Sequence, residues 1–172
     1  MRRFVCFVIF FTICVAVKGQ EGVNFEILSF DEALAKAREE NKLLFVDCYT
    51  TWCGPCKLMS EKVFSQKKVG EFFNPRFVSV KFDVEKEEGK KFARNYDVAS
   101  YPTFFLIRPD GTLLHKISGA YEVDEFIRLV KEGIEGTESL GSWEEKYRTG
   151  NRDKAFLYEY LQLLNECGER SK

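Results

Sequence analysis

The sequence predicts an α/β domain: a mixed central sheet with helices on both faces, followed by a short C-terminal helical pair. Three observations carry that expectation. Strand-like and helix-like stretches alternate through residues 23–134. Leu43-Leu44-Phe45-Val46-Asp47-Cys48-Tyr49 is an apolar run broken by one acid, as in a strand covered on both faces. Pro109-Asp110-Gly111-Thr112 separates two further β-rich runs. Proline presets φ and glycine supplies the left-handed position, so these runs should form a hairpin.

Element by element, Val23 to Leu28 alternates loosely and predicts a short first strand. Ser29-Phe30-Asp31-Glu32 is a capping box that opens a helix running to about Asn41. After the buried strand a helix starts from Cys53, with Lys57, Leu58 and Met59 inside it and Phe64 near its end. A second helical piece, Lys67 to Phe73, stops at Asn74-Pro75. Phe77 to Phe82 predicts a strand, Glu87 to Tyr96 a helix, and Thr103–Ile107 and Leu113–Ser118 the hairpin. Val123 to Ile134 closes the unit with apolar residues at 123, 126, 127, 130 and 134, one helical stripe.

Gly133 to Gly141 is a short polar connection, and Ser142-Trp143-Glu144-Glu145 predicts another capped helix, broken at Gly150-Asn151. Arg152 to Cys167 follows as an amphipathic helix with Phe156, Tyr160, Leu163 and Leu164 on one side. The pair should fold back on the domain. The alternative, the start of a helical-repeat module, would need ~3 repeats, and only one unit is present.

The chain has 172 residues with 26 Lys+Arg, 27 Asp+Glu and a formal net charge of −1, so it carries no basic footprint for nucleic acid. Phenylalanine is over-used, at 17 residues, which predicts a core of large flat side chains. A single histidine makes a His-rich metal site or a Ser-His-Asp triad improbable. Six cysteines remain as the reactive inventory.

Arg2 and Arg3 precede a run without charge from Phe4 to Val17, too short for a membrane span of ~20 residues. Val17-Lys18-Gly19 then offers a cleavage site, so residues 1–19 read as a secretory signal peptide. Cleavage removes three basic residues and takes the formal charge from −1 to −4. It also removes Cys6 and Cys14, leaving Cys48, Cys53, Cys56 and Cys167 in a compartment that permits disulfide chemistry. The expected organisation is a signal peptide (1–19), an α/β domain (20–136) and a helical extension (137–172).

Trp52-Cys53-Gly54-Pro55-Cys56-Lys57 sits where a buried strand turns into a helix. Residues three apart on a helix share a face, ~5–6 Å between Cβ atoms, so the two sulfurs can close and reopen without moving the backbone. Cys53 at the N-cap meets unpaired N–H groups and the positive end of the helix dipole, which favour its thiolate, the nucleophilic form. Pro55 falls in the first turn, where its missing N–H costs nothing. Two other readings stay open from spacing alone: a static disulfide, and half of a zinc site. Zinc would need further ligands from Cys48, Cys167, His115 or carboxylates, none at second-pair spacing.

With Asp47 six residues before Cys53, and Tyr101-Pro102-Thr103 before the hairpin, these motifs resemble the thioredoxin family over about residues 24–135. The longer stretch from Met59 to Phe77 is more similar to exported thioredoxin-like proteins of Bacteroides-type bacteria, and to the periplasmic C-terminal domain of the membrane thiol:disulfide interchange protein. The resemblance implies a thioredoxin fold, catalytic residues Cys53, Cys56, Asp47 and Lys81, and a substrate groove at Trp52, Tyr101, Pro102 and Thr103. Asp47 matches the buried acid that handles the proton of the second cysteine. Independently, a carboxylate in so apolar a strand should be desolvated, which raises its pKa and suits a proton acceptor. Lys81 matches the lysine opposite that acid. Pro102 matches a cis-proline that leaves the Tyr101 backbone free to pair with an extended substrate. Gly119 matches a glycine after the last strand, expected at a close backbone approach. Cys48 should be a small buried hydrophobe, Cys167 a thiol on the tail, and His115 a hairpin surface residue.

The expectation is therefore an exported, periplasmic, monomeric thiol–disulfide oxidoreductase that reduces protein disulfides through Cys53/Cys56, without metal or cofactor. Its partners would be protein disulfide substrates and an exported or membrane redox donor. A disulfide oxidase or isomerase, and a non-catalytic peptide-binding module, are the alternatives.

Overall fold

Strand β2 (Leu43–Tyr49) forms the middle of a five-stranded sheet in the computed structural model, which describes residues 21–135 and 139–166. The signal peptide, the 136/137 boundary and Cys167 lie outside the described residues. The sheet order is β1-β3-β2-β4-β5, with β1 Phe25–Glu26, β3 Phe77–Asp83, β4 Thr103–Ile107 and β5 Leu113–Ser118. β1, β3 and β2 run parallel, while β4 and β5 are antiparallel neighbours. β1 is shorter than its apolar pattern predicts, because pairing with β3 extends only from Phe25 to Glu26.

Helix α1 (Phe30–Glu39) begins at the Ser29–Glu32 capping box, with both reciprocal bonds made. It packs with α4 (Glu87–Asn95) on one face of the sheet, where Ala33, Leu34, Ala37 and Phe92 meet Leu44, Val46 and Phe105. The other face carries α2 (Gly54–Leu58), α3 (Lys67–Phe73) and α5 (Val123–Glu135); Met59 just after α2, with Phe73, Phe126 and Val130, packs around Phe45 and Phe104. The abundant phenylalanine goes here: Phe45 lies edge-on to Phe64, Phe73 and Phe126 and stacks on Phe104 at 5.9 Å. Burying one such side chain contributes roughly 1.5–3 kcal/mol, and edge-to-face pairs add about 0.5–1.5 kcal/mol each.

The helix after Cys53 does not run through as a regular α-helix. From Met59 to Val63 it widens to a π-turn, with the Phe64 N–H donating to the Met59 carbonyl at 2.8 Å. Gly70 lets α3 sit against the N-terminal segment, since a Cβ there would lie 2.1 Å from the Gly22 carbonyl oxygen.

The C-terminal pair folds back on the domain, with two corrections. Helix α6 spans Leu140–Arg148 and is capped by Ser139, whose side chain accepts from the Ser142 N–H; Ser142 is not the cap. Glu145, expected to complete a capping box, instead holds Arg148 through both oxygens. The second correction is His115: it lies beneath α6 rather than at the surface, and its Nδ1 accepts from the Leu140 N–H at 3.3 Å. Burial pushes its pKa down to about 4. Gly133 of α5 makes room for the ring, because a Cβ there would come 2.7 Å from it. Helix α7 (Lys154–Glu166) then stacks Phe156 and Tyr160 on Trp143. No helix among the described residues is long and apolar enough to cross a membrane.

Candidate active site

The C-terminal end of β2 and the N-terminal end of β4 lie side by side, because the strands are antiparallel and Cys48 pairs with Thr103. β2 continues through Thr50 to Cys53, and the Cys53 N–H returns to the Thr50 carbonyl at 3.2 Å. Cys53 adopts an extended backbone as the N-cap of α2, and its sulfur accepts from the Cys56 N–H at 3.1 Å. Pro55 occupies the first turn. Cys53 and Cys56 are joined as a disulfide, with 5.3 Å between Cα atoms. Exposure does not distinguish the two: Cys53 is 4% and Cys56 6% exposed. In the oxidised form neither sulfur is presented to solvent. The features that set Cys53 apart are its cap position and the N–H directed at its sulfur.

Asp47 is 2% exposed. Burial is the dominant influence and raises its pKa to about 6, with the nearby Lys81 ammonium opposing that rise. Lys81 is its Cα partner on β3, and Nζ stands 3.2 Å from Asp47 Oδ2. The second oxygen, Oδ1, is buried with no hydrogen-bond partner among the described residues. The ammonium also donates to Ser60 Oγ at 2.9 Å and lies over the rings of Phe25 and Phe64. A carboxyl with a pKa near neutrality, open on one oxygen and tethered on the other, can accept and return a proton.

Trp52 is 66% exposed; its ring meets Tyr101 edge-on at 6.1 Å and its Nε1 donates to Glu85 Oε1 at 3.0 Å. The Tyr101–Pro102 bond is cis. Trp52 and Tyr101 are thus brought together, and the β2–β4 pairing sets Pro102 beside them. Thr103 is different: it is fully buried, and its hydroxyl donates to the Ser100 carbonyl and lies 3.2 Å from Ser118 Oγ. Its side chain braces the loop instead of facing outward. The same loop is held from beneath by Lys116, whose Nζ donates to the Asp97 carbonyl at 3.0 Å. Gly119 is not at a close backbone approach, since an added Cβ would meet only the Tyr121 side chain at ordinary distance. Its φ of 106° is the reason for glycine, and its N–H donates to the Pro102 carbonyl.

Cys48 is buried with a free thiol, which burial pushes well above its ordinary pKa. The sequence reading missed Ser60, Glu85 and Lys116. Ser60 stands four residues after Cys56, a helical spacing that offered a faint signal. Glu85 and Lys116 had none, because their partners are distant in sequence.

A family model for a thioredoxin-like domain matches residues 30–134. The chain is 46% identical to a Bacteroides thetaiotaomicron protein, provisionally described as a disulphide-isomerase, whose solution structure superposes with a TM-score of 0.62. That match covers 67% of this chain and 96% of the other. The oxidised C-terminal domain of Neisseria meningitidis DsbD shares the fold at 23% identity and a TM-score of 0.52, covering 60% and 90% of the two chains. Rice chloroplastic thioredoxin Y is 34% identical over 107 residues, 62% of this chain. The chain spans 58% of that relative's length.

Proposed function

The chain belongs to the thioredoxin-like family, and from that membership we propose that it is an exported, monomeric protein-disulfide reductase working through a Cys53/Cys56 dithiol. The observation that carries the proposal is the cysteine pair capping a helix next to a strand that holds a buried carboxyl of pKa about 6. In the reduced enzyme the Cys53 thiolate attacks one sulfur of a substrate disulfide. A Cys53–substrate S–S bond forms, the substrate S–S bond breaks, and the other substrate sulfur leaves as a thiolate. Cys56 gives its proton to Asp47 and attacks the Cys53 sulfur. This step closes the Cys53–Cys56 disulfide and releases the second substrate thiolate. Two electrons have passed to the substrate, and a dithiol donor, exported or membrane-bound, returns them. Trp52, Tyr101 and Pro102 form the rim on which the substrate segment lies, with Thr103 bracing it from within.

With dithiothreitol as donor at pH 7, the protein should accelerate reduction of insulin disulfides; a rate equal to that of dithiothreitol alone overturns the reading. The provisional description of the Bacteroides relative favours a second reading, in which the same dithiol reshuffles or forms disulfides. Pro55 bears on that choice. It adds neither charge nor a donor to hold the Cys53 thiolate, so the reduced form is weakly stabilised and gives up electrons readily. Pro55→His should lower the Cys53 pKa and make the couple more oxidising. A potential unchanged or more negative on redox-buffer titration would show that this position does not set the direction.

Export rests on Arg2, Arg3 and the apolar run Phe4 to Val17. N-terminal sequencing of the periplasmic fraction should return Gln20 as the first residue; Met1 would contradict it.

A further inference from the structure

We propose that Ser60 is a positioning residue that sets the pH dependence of the resolving step by fixing the Lys81 ammonium against Asp47. The inference rests on the reductase reading for its kinetic consequence, though not for its geometry. Three elements converge on one ammonium. β2 supplies Asp47 Oδ2 at 3.2 Å, β3 supplies Lys81 itself, and the π-turn after α2 supplies Ser60 Oγ at 2.9 Å. The rings of Phe25, Phe64 and Tyr49 lie 4.6, 5.1 and 5.7 Å from Nζ and complete a cage open on one side.

That open side matters. Lys81 lines a surface hollow of about 590 Å³ beside β1, and its side chain is 24% exposed. A flexible four-carbon stem with access to water can swing away from a carboxylate, and the rings attract the ammonium without fixing its angle. Besides Asp47 Oδ2, the described contacts of the ammonium include one hydroxyl acceptor, that of Ser60, which gives the ammonium a second directional anchor. It comes from the same helical run as Cys56, so the cysteine, the acid and the acid's counter-ion are tied into one unit.

The other titratable groups facing this pair do not duplicate the role. Cys48 and Tyr49, which follow Asp47 on β2, are pushed up by burial and stay neutral near pH 7. Glu26 is bound to Lys36, Glu32 to Ser29, and Glu88 to the Phe30 N–H. Asp83 accepts from the Glu85 N–H. The Cys53 and Cys56 thiols of the reduced form are the reacting groups themselves.

The test compares wild type, Ser60→Ala, Ser60→Thr, Lys81→Met and the Ser60→Ala/Lys81→Met double variant. Two readouts are used: the NMR titration midpoint of the Asp47 carboxyl, and the pH profile of mixed-disulfide resolution in single turnover. Ser60 is exposed, so the alanine variant leaves the core intact. Ser60→Ala should raise the Asp47 midpoint by about one pH unit, because a loosened counter-ion holds the carboxylate less well. The acid limb of the resolution profile should move up by the same amount. Ser60→Thr, which keeps the hydroxyl, should match wild type, and Ser60→Ala should add nothing in the Lys81→Met background. A merely structural serine would lower stability or rate without moving the midpoint. An unmoved midpoint in Ser60→Ala, a shift that persists without Lys81, or an equal shift in Ser60→Thr would overturn the inference. The NMR arm decides the role of Ser60 even if the protein reduces no substrate, so this failure and that of the reductase reading are told apart.

Discussion

Cys56→Ser is expected to abolish turnover while accumulating a covalent adduct through Cys53, whereas Cys53→Ser loses both turnover and adduct. The asymmetry follows from the local backbone. Cys53 is the N-cap of α2 and receives the Cys56 N–H on its sulfur, an arrangement that stabilises negative charge there once the disulfide opens. Cys56 lies within the first turn, and among the described residues no such donor is directed at its sulfur. Burial cannot make the distinction, since both sulfurs are nearly covered in the oxidised form. With Cys56 replaced, the Cys53–substrate disulfide has no internal thiol to break it, so it persists. Mass spectrometry after incubation with oxidised insulin, run without added thiol, would display the adduct. An adduct formed by Cys53→Ser and not by Cys56→Ser would reverse the roles without disturbing the fold.

Asp47→Asn should slow resolution on the order of 10²-fold while leaving attack nearly unchanged, because a neutral amide cannot take the Cys56 proton. Rapid mixing with a model disulfide separates the two steps. The same substitution has a stability signature of definite sign. Burial raises the folded-state pKa of Asp47 from 3.8 to about 6, so the folded state binds this proton more tightly than the unfolded chain. Wild-type stability therefore falls as pH rises through that window and levels off above pH 6. A shift of this size corresponds to about 3 kcal/mol at neutral pH, and Asp47→Asn should recover much of it at pH 7 and none at pH 3. Urea melts at the two pH values check this. Equal midpoint differences at both would mean that the carboxyl is not destabilised by burial.

What the sequence disclosed and what it hid have physical reasons. β4 and β5 were legible to the residue because Pro109-Asp110-Gly111 leaves few alternatives to a hairpin, and α3 because Asn74-Pro75 stops a helix. The closeness of Cys53 and Cys56 was legible in their helical spacing and the burial of Asp47 in its apolar strand, while the roles given to them come from the family resemblance. The start of α6 was not. Two serines three residues apart both offer a cap, and the choice of Ser139 is a tertiary one: Leu140 is buried, with its N–H on His115. His115 was misplaced for the same reason, since nothing within the hairpin announces that a later helix will cover it. Ser60, Glu85 and Lys116 act on partners 21, 33 and 19 residues away in sequence, and such contacts exist only once the sheet is assembled.

The reduction potential of the Cys53–Cys56 couple tests the central claim most directly, through equilibration with dithiothreitol redox buffers and alkylation of the free thiols. A protein-disulfide reductase with Pro55 between its cysteines should titrate as a single two-electron couple at a reducing potential, about −270 mV. A couple near about −120 mV would mark an oxidase instead, and a disulfide that does not exchange with thiols at all would leave a peptide-binding module with a static bridge.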